Sequence, residues 1–495
     1  MSATSETPTS EGGAPGASPA VARCHIDGHW VDGAGDTAER RSPATNTVVT
    51  RMTCATPGDV DAAVAAARRA RHDWANTAAL RRAEILHRAA GLLRERKEEA
   101  ARLISLEMGK TYAESLEDVE YGADDLDFSA EDAIRNAGQV AATNTTEPGT
   151  KRKRILTINV PVGVAALLSP WNFPIAIPCE LLGPALACGN TVVWKPSEAS
   201  PASGQLLAEV LVAAGLPAGV FNCLQGAGDV GARMVTHPGT DMVGFVGSTA
   251  TGEHISRSAG VKKLLLELGG NGPLVVMDDA DLDKAVEATV TGAFYCGGQV
   301  CTAAERVLVH DAVHDAYVEK LVARTARVRL GDPLDPATDM GPLAIASSLE
   351  KTRAHLDDAV GKGARIVAGG AHDGLYHEPT VIVGVTSDMD IAQEETFGPV
   401  VPIMRFADRD EAVRVANETK YGLTGAVFTE SMSHAWFLAE GIECGTVHVN
   451  ETTNHWELLA PFGGMKQSGV GRILGDQSVA AFTNPKQITF ELGDR

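Results

Sequence analysis

Short apolar runs alternate with amphipathic helical stretches from about residue 162 onward, and this alternation limits the fold more than any other feature of the chain. Val162 to Leu168, Thr191 to Trp194, Val220 to Leu224 and Met242 to Phe245 have the length and β-branched content of strands, separated by helical segments such as Ser203 to Ala214. A second series holds Leu274 to Met277, Glu305 to Val309, Ala364 to Ala368, Val400 to Phe406 and Gly425 to Phe428. Strands that return through helices form parallel sheets with helices on both faces. The expectation is an α/β fold with two such units in succession. Upstream, the pattern turns helical at Pro57, with Asp59 or Asp61 as candidate cap, and a longer amphipathic helix is expected from about Ala78 to Met108. Between these regions Gln139 to Asn144 and Arg154 to Asn159 flank Pro148-Gly149 as a hairpin would. Residues 1–20, mostly Ser, Thr, Gly, Pro and Ala, read as a disordered leader.

Charge and cysteine usage narrow the function classes. With 43 basic against 64 acidic residues the net charge is −21, which argues against a nucleic-acid or anionic-membrane partner while leaving room for a local basic pocket. The eight cysteines are scattered, with no CxxC pair and no Cys/His cluster at zinc spacing, so free thiols in a reducing cytoplasm and no metal are expected. No basic start with an apolar core marks a secretory signal, and no apolar run is long enough to span a bilayer.

Two segments carry groups with chemistry: Leu266-Glu267-Leu268-Gly269-Gly270 and, 34 positions after the carboxylate, Gly298-Gln299-Val300-Cys301. A thiol can attack an aldehyde, and a carboxylate within reach can activate water to release the acyl group. Spacing alone does not bring the two together. Cys296, five residues upstream, is the rival thiol, and most buried cysteines are inert small hydrophobes. A carboxylate among Leu265, Leu266 and Leu268 is expected to lose solvent and gain basicity; otherwise it is a strand-end residue capping something. Gly226-Ala227-Gly228-Asp229-Val230-Gly231 matches GxGxxG, a weak signal alone, and reads as a turn with a backbone contact at Gly228.

Further motifs give the resemblance. Pro170-Trp171-Asn172-Phe173-Pro174, Trp194-Lys195-Pro196-Ser197-Glu198, Phe245-Val246-Gly247-Ser248-Thr249, the two segments above, Glu395-Thr396-Phe397-Gly398-Pro399 and Pro461-Phe462-Gly463-Gly464 occur in that order. From about residue 25 to the end the chain resembles the aldehyde dehydrogenase superfamily. The resemblance implies that family's fold: a Rossmann-like cofactor domain (21–130 and 154–265), an α/β catalytic domain (266–450) and a small β oligomerisation element (131–153 and 480–495), in a homodimer or homotetramer.

It also implies roles. Cys301 is the nucleophile. Asn172, with the Cys301 backbone N–H, stabilises the oxyanion, and Glu267 activates water for thioester hydrolysis. A carboxylate at 267 favours release of the free acid over transfer to coenzyme A, which stays as the alternative beside a catalytically silent relative. Trp171, Lys195, Ser197 and Gly228 belong to the cofactor site. Glu198 resembles the acceptor for ribose hydroxyls and would repel a 2′-phosphate, so NAD is preferred, with NADP the other candidate. Gly247, Ser248 and Gly252 face the pyrophosphate at a helix N-terminus. Glu395 binds the nicotinamide ribose and Phe397 buttresses it. For the small-molecule aldehyde, walls are expected from Glu180, Val300, His455 and Trp456. Stretches around Glu267 to Val309 are similar to lactaldehyde and phosphonoacetaldehyde dehydrogenases, with succinate-semialdehyde dehydrogenases near. Yet Glu180 and Val300 stand where such relatives carry arginine, so neither cationic clamp for an anionic aldehyde is present.

Overall fold

The computed structural model describes residues 18–141 and 153–492. Most of the expected leader and the Pro148-Gly149 tip lie outside these residues; Ala20–Ala22 already forms a strand, paired parallel with Val48–Thr53.

Two large sheets organise the molecule. The first runs Gly469–Val470, Lys263–Glu267, Met242–Val246, Val164–Leu168, Thr191–Lys195, Phe221–Cys223, Cys24–Ile26, His29–Val31. Its five central strands are parallel. They are buried along almost their whole length, which is why they read as continuous apolar runs. The register places Leu168 beside Lys195 and Phe245, and Val246 beside Glu267. One carboxyl edge therefore carries Lys195, the Ser169–Asn172 turn, Gly247 and Glu267. Such an edge, where helices begin, is where open parallel sheets bind ligands.

The second sheet runs Arg365–Ala368, Thr380–Val383, Val400–Phe406, Arg306–His310, Pro273–Val276, Thr424–Phe428, Thr446–Val449, all parallel except the first strand. Its amino edge faces the carboxyl edge of the first sheet. Gly270 to Gly272 lead into Pro273–Val276, the Cys301 loop into Arg306–His310, and the Glu395 loop into Val400–Phe406. Fully buried Arg306 ties the first of these loops to the helix Arg409–Asn417: its guanidinium donates to the carbonyls of Asn271 (3.2 Å), Val415 (2.8 Å) and Ala416 (2.7 Å).

Several expectations change. The long helix expected over 78–108 is two helices, Ala79–Glu95 and Lys97–Met108, with Arg96 between them. The first helix, Pro57–Ala75, is capped by Thr56 in a capping box with Asp59 at the third position, so Asp59 supports the cap and does not form it. The two α/β units are not strictly successive. The C-terminal segment returns to the first sheet through Gly469–Val470, and Ser468 Oγ donates to the Gly269 carbonyl at 2.7 Å. A third sheet pairs Thr483–Glu491 with Lys153–Pro161 along nine residues, with Gln139–Val140 at its edge. Residues up to Arg135 of the segment expected in this element instead finish the helix Tyr112–Arg135. Among the described residues no helix is long and apolar enough to cross a membrane.

Candidate active site

Glu267 ends its strand and is 4% exposed. Cys301 lies half-buried on the loop before Arg306–His310, and the two side chains line one pocket, near enough for each to bear on the other's protonation. Loss of solvent pushes Glu267 well above the usual carboxylate range, with Glu180 and Glu395 adding like-charge repulsion against the relief from Cys301. Loss of solvent likewise pushes the Cys301 thiol well up, and the Glu267 carboxylate beside it adds to the effect. Both shifts run against charge, so the site resists a thiolate and a carboxylate side by side. Glu267 Oε1 is buried without a hydrogen-bond partner in the described structure, an acceptor free to take a water or substrate proton.

The Cys301 loop is shaped by strained backbone. Cys296 (φ 53°), Gly297 (φ 62°) and Gly298 (φ 71°) are left-handed in succession, reversing the chain after the helix Leu282–Phe294. Buried Glu114 holds the turn by accepting the Cys296 N–H at 2.8 Å. Gln299 continues the hold, donating to the Cys296 carbonyl and accepting from Ala344 N, both at 2.9 Å. Gly270 lies so close that a Cβ there would sit 2.2 Å from the Cys301 carbonyl oxygen, so the crossing of the two loops requires glycine. Cys296 itself is in the core, its thiol driven up to about 12 by desolvation. It supports the turn and does not line the pocket.

Asn172 comes from the turn after Val164–Leu168. Its amide Nδ2 donates to the Gln299 carbonyl at 3.0 Å, which fixes it against the Cys301 loop and leaves one N–H uncommitted. Beneath it lies a buried ion pair: Lys110 Nζ stands 3.1 Å from Asp118 and 3.6 Å from the centre of the Phe173 ring. Asp118 also accepts the Ala176 N–H at 2.8 Å, anchoring the helix that follows. Glu114, Lys110 and Asp118 lie in helical or capping sequence that gives no sign of their role.

The expected cofactor residues gather along the shared edge. Lys195 Nζ donates to Gly226 O (2.8 Å), Pro196 O (3.1 Å) and Glu198 (3.1 Å), and so holds Glu198, itself half in solvent. Ser197 Oγ accepts from Ala199 N at 3.2 Å. Ser248 caps the helix Thr249–Ser258 by accepting from Thr251 N, Gly247 precedes it, and Gly252 packs against Leu268. Gly228 opens the helix Gly228–Thr236, while the contact from Lys195 goes to Gly226. Glu395 accepts the Gly270 N–H at 3.0 Å, and the Phe397 ring meets Trp171 edge-on at 5.7 Å. Phe397 is left-handed (φ 57°), held so by buried Glu305, which accepts the N–H groups of Thr396 (2.5 Å) and Phe397 (2.7 Å). Glu305 was not foreseen; a carboxylate four residues after Cys301 is its only sequence mark.

Beside Cys301 and Glu267 opens a pocket of about 610 Å3, counting its mouth, walled by Phe173, Ile177, Glu180, Val246, Trp456 and Phe462 among others. Glu180 and Trp456 are therefore where they were expected. Val300 and His455 are not: Val300 is buried behind the loop, and His455 is exposed, its ring 5.5 Å from that of His448. From Asn454 to Leu459 covered and exposed residues alternate, so Trp456 turns in and its neighbour turns out.

A thiol and a buried carboxylate meet beside the carboxyl edge of a parallel sheet, the edge at which such α/β folds hold their ligands. The chain belongs to the aldehyde dehydrogenase family, whose model matches residues 30–488. It is similar to an NADP-dependent enzyme of E. coli (36% identity, 95% of this chain and 98% of that one, TM-score 0.92). It is similar also to an aldehyde dehydrogenase of Brucella melitensis (34%, 96% and 98%, TM-score 0.92). A betaine aldehyde dehydrogenase of Staphylococcus aureus, solved in complex with NAD+, matches at 34% identity over 96% of this chain and 95% of that one, with a TM-score of 0.91. The protein is an NAD(P)-dependent aldehyde dehydrogenase.

The pairing has a measurable consequence. Because the Glu267 carboxylate raises the thiol, Glu267→Gln should bring the Cys301 pKa down and speed its alkylation by iodoacetamide at pH 8, read by peptide mass spectrometry. Cys296 should stay unlabelled in both proteins. Slower labelling in the variant would contradict the pairing.

Proposed function

We propose that this enzyme oxidises its aldehyde to the free acid through a thioester on Cys301, with NAD the preferred acceptor. The observation that carries the reading is the buried contact between Glu267 and Cys301. Sγ bonds to the aldehyde carbon as the thiol gives up its proton to solvent, forming a thiohemiacetal. The uncommitted N–H of Asn172 and the Cys301 backbone N–H serve the oxyanion; one such donor is worth about 10²–10³ in rate. Loss of hydride from that carbon leaves a thioester. Glu267, raised in basicity by burial, then accepts a proton from the water that hydrolyses it.

The cofactor edge fits a dinucleotide. The first-turn N–H groups of Thr249–Ser258 have no carbonyl within their helix and suit a pyrophosphate. Lys195 and Glu198 suit a ribose, and Glu395 with Phe397 the nicotinamide end. NAD, when bound, supplies the hydride acceptor. The similar structures include both an NADP-dependent enzyme and an NAD+ complex. Glu198, held by Lys195, favours NAD because a carboxylate opposes a 2′-phosphate. Glu267 favours hydrolysis over acyl transfer to coenzyme A. The same reading takes 21–130 and 154–265 as the cofactor domain and 266–450 as the catalytic domain, with the enzyme working in the cytoplasm.

Glu267→Gln should keep acylation and lose hydrolysis: one equivalent of reduced cofactor per site in a burst, then steady turnover lower by about 10²-fold or more. In the unsubstituted enzyme hydrolysis should fall as pH drops through a value above 4.5, since protonated Glu267 cannot accept a proton. Undiminished acid formation by the variant would remove Glu267 from the mechanism.

The third sheet supports the subunit contact of a dimer or tetramer. Val140, Ile158, Phe490 and Leu492 are exposed apolar side chains on or next to it. Ile158→Asp with Phe490→Asp should lower the mass seen by light scattering; an unchanged oligomer would place the contact elsewhere.

A further inference from the structure

The acyl-transfer site uses Cys301, Glu267 and Asn172, yet its pocket holds two more carboxylates with no part in that chemistry. Asp125 lies on the helix Tyr112–Arg135, one turn beyond Tyr121, so both face the pocket. Glu180 lies on the helix Ala176–Ala187, on the face of Ala176 and Ile177. The two helices press together at Gly183, where a Cβ would sit 2.5 Å from Ser129 Oγ, and this closeness aims both carboxylates into one space.

Asp125 is only 3% exposed. Among the described residues neither carboxylate accepts a side-chain hydrogen bond or meets a basic group, although other buried carboxylates here, such as Glu107, Glu114 and Glu305, are saturated with donors. No Lys, Arg or His lines the pocket. Lys110 is near but is bound by Asp118 and lies against Phe173. Burying a carboxylate with nothing opposite is costly, and the usual remedy is a cation. Desolvation pushes Glu180 up to about 7 and Asp125 well above its usual range, with the Glu180 charge adding to the rise in Asp125. The rest of the wall is aromatic: Trp456 packs edge-on against Tyr121 at 6.2 Å and Phe173 at 5.6 Å. Such rings attract a cation by their π faces.

We propose that the aldehyde this pocket is built for carries a cationic nitrogen, held between the carboxylates of Asp125 and Glu180 and the rings of Tyr121 and Trp456. This rests on the Cys301 reading for where the aldehyde end lies. The ammonium replaces its water with carboxylate acceptors and ring faces, and an anionic aldehyde meets only repulsion.

The test compares 3-aminopropanal, its neutral analogue butanal, and anionic 4-oxobutanoate as substrates of the full-length enzyme with NAD. The expected kcat/KM is about 10-fold or more higher for the cation than for butanal, with the anion lowest. Asp125→Asn and Glu180→Gln should each shrink the cation-to-neutral ratio, with most of the change in KM. A trimethylammonium aldehyde replaces the hydrogen-bonding cation by one that only the rings and charge can hold; preference for either cation supports the proposal. Equal or better turnover of butanal or 4-oxobutanoate would overturn it, as would a charge preference that survives both substitutions together. Calorimetric titration of the Cys301→Ala protein with the same aldehydes reads charge preference without turnover. A preference for the cation there, with no oxidation of any aldehyde by the unsubstituted enzyme, would sink the Cys301 reading and keep the charge preference. Indifferent binding would do the reverse.

Discussion

A carboxylate and a thiol buried side by side cannot both be charged, and the active site is organised around that restriction. Water would stabilise either anion; the apolar walls around Glu267 and the nearby carboxylates of Glu180 and Glu395 withhold that help. The thiolate is therefore disfavoured until a carbonyl carbon takes the sulfur's electron pair. Reactivity is stored in the pair and released by substrate, which keeps a strong nucleophile from standing exposed. The raised basicity of Glu267 suits it to take a proton from water in the second half-reaction.

The fold supplies the encounter by setting two parallel sheets edge to edge. Glu267 ends a strand of one, and Cys301 precedes a strand of the other. Their meeting depends on loops that cross too tightly for ordinary side chains, as Gly270 does over the Cys301 carbonyl. Buried charged groups fix these loops without touching the reacting atoms. Arg306 gathers three carbonyls, Glu305 holds the strained backbone at Phe397, and Glu114 holds the turn at Cys296. Each is satisfied mostly by backbone groups, so each specifies a loop conformation more than it adds stability.

Much of this was legible in the amino-acid order, and the exceptions have physical causes. Fully buried parallel strands announce themselves as apolar runs, so Val400–Phe406 and Thr191–Lys195 were found nearly to the residue. Lys263–Glu267 was missed as a strand because it begins with a lysine and is short, although its last residue was singled out. The Cys301 loop and the Asn172 turn were legible because their residues stand in uncommon combinations. Asp125, Tyr121, Leu458 and Ile473 were not, because a pocket wall assembled from distant segments leaves no local pattern. The side to which His455 turns was not legible for a smaller reason. In an irregular loop nothing in the residue types fixes which side chain faces inward, and the tryptophan next to it took that place.

The most direct measurement is acid quenching of the unsubstituted enzyme during turnover, followed by peptide mass spectrometry to locate the acyl group. The mass of the substrate's acyl unit should appear on the peptide holding Cys301, on that sulfur, and disappear when NAD is omitted. An acyl group found on Cys296 or another side chain, or none under conditions where acid accumulates, would contradict the account.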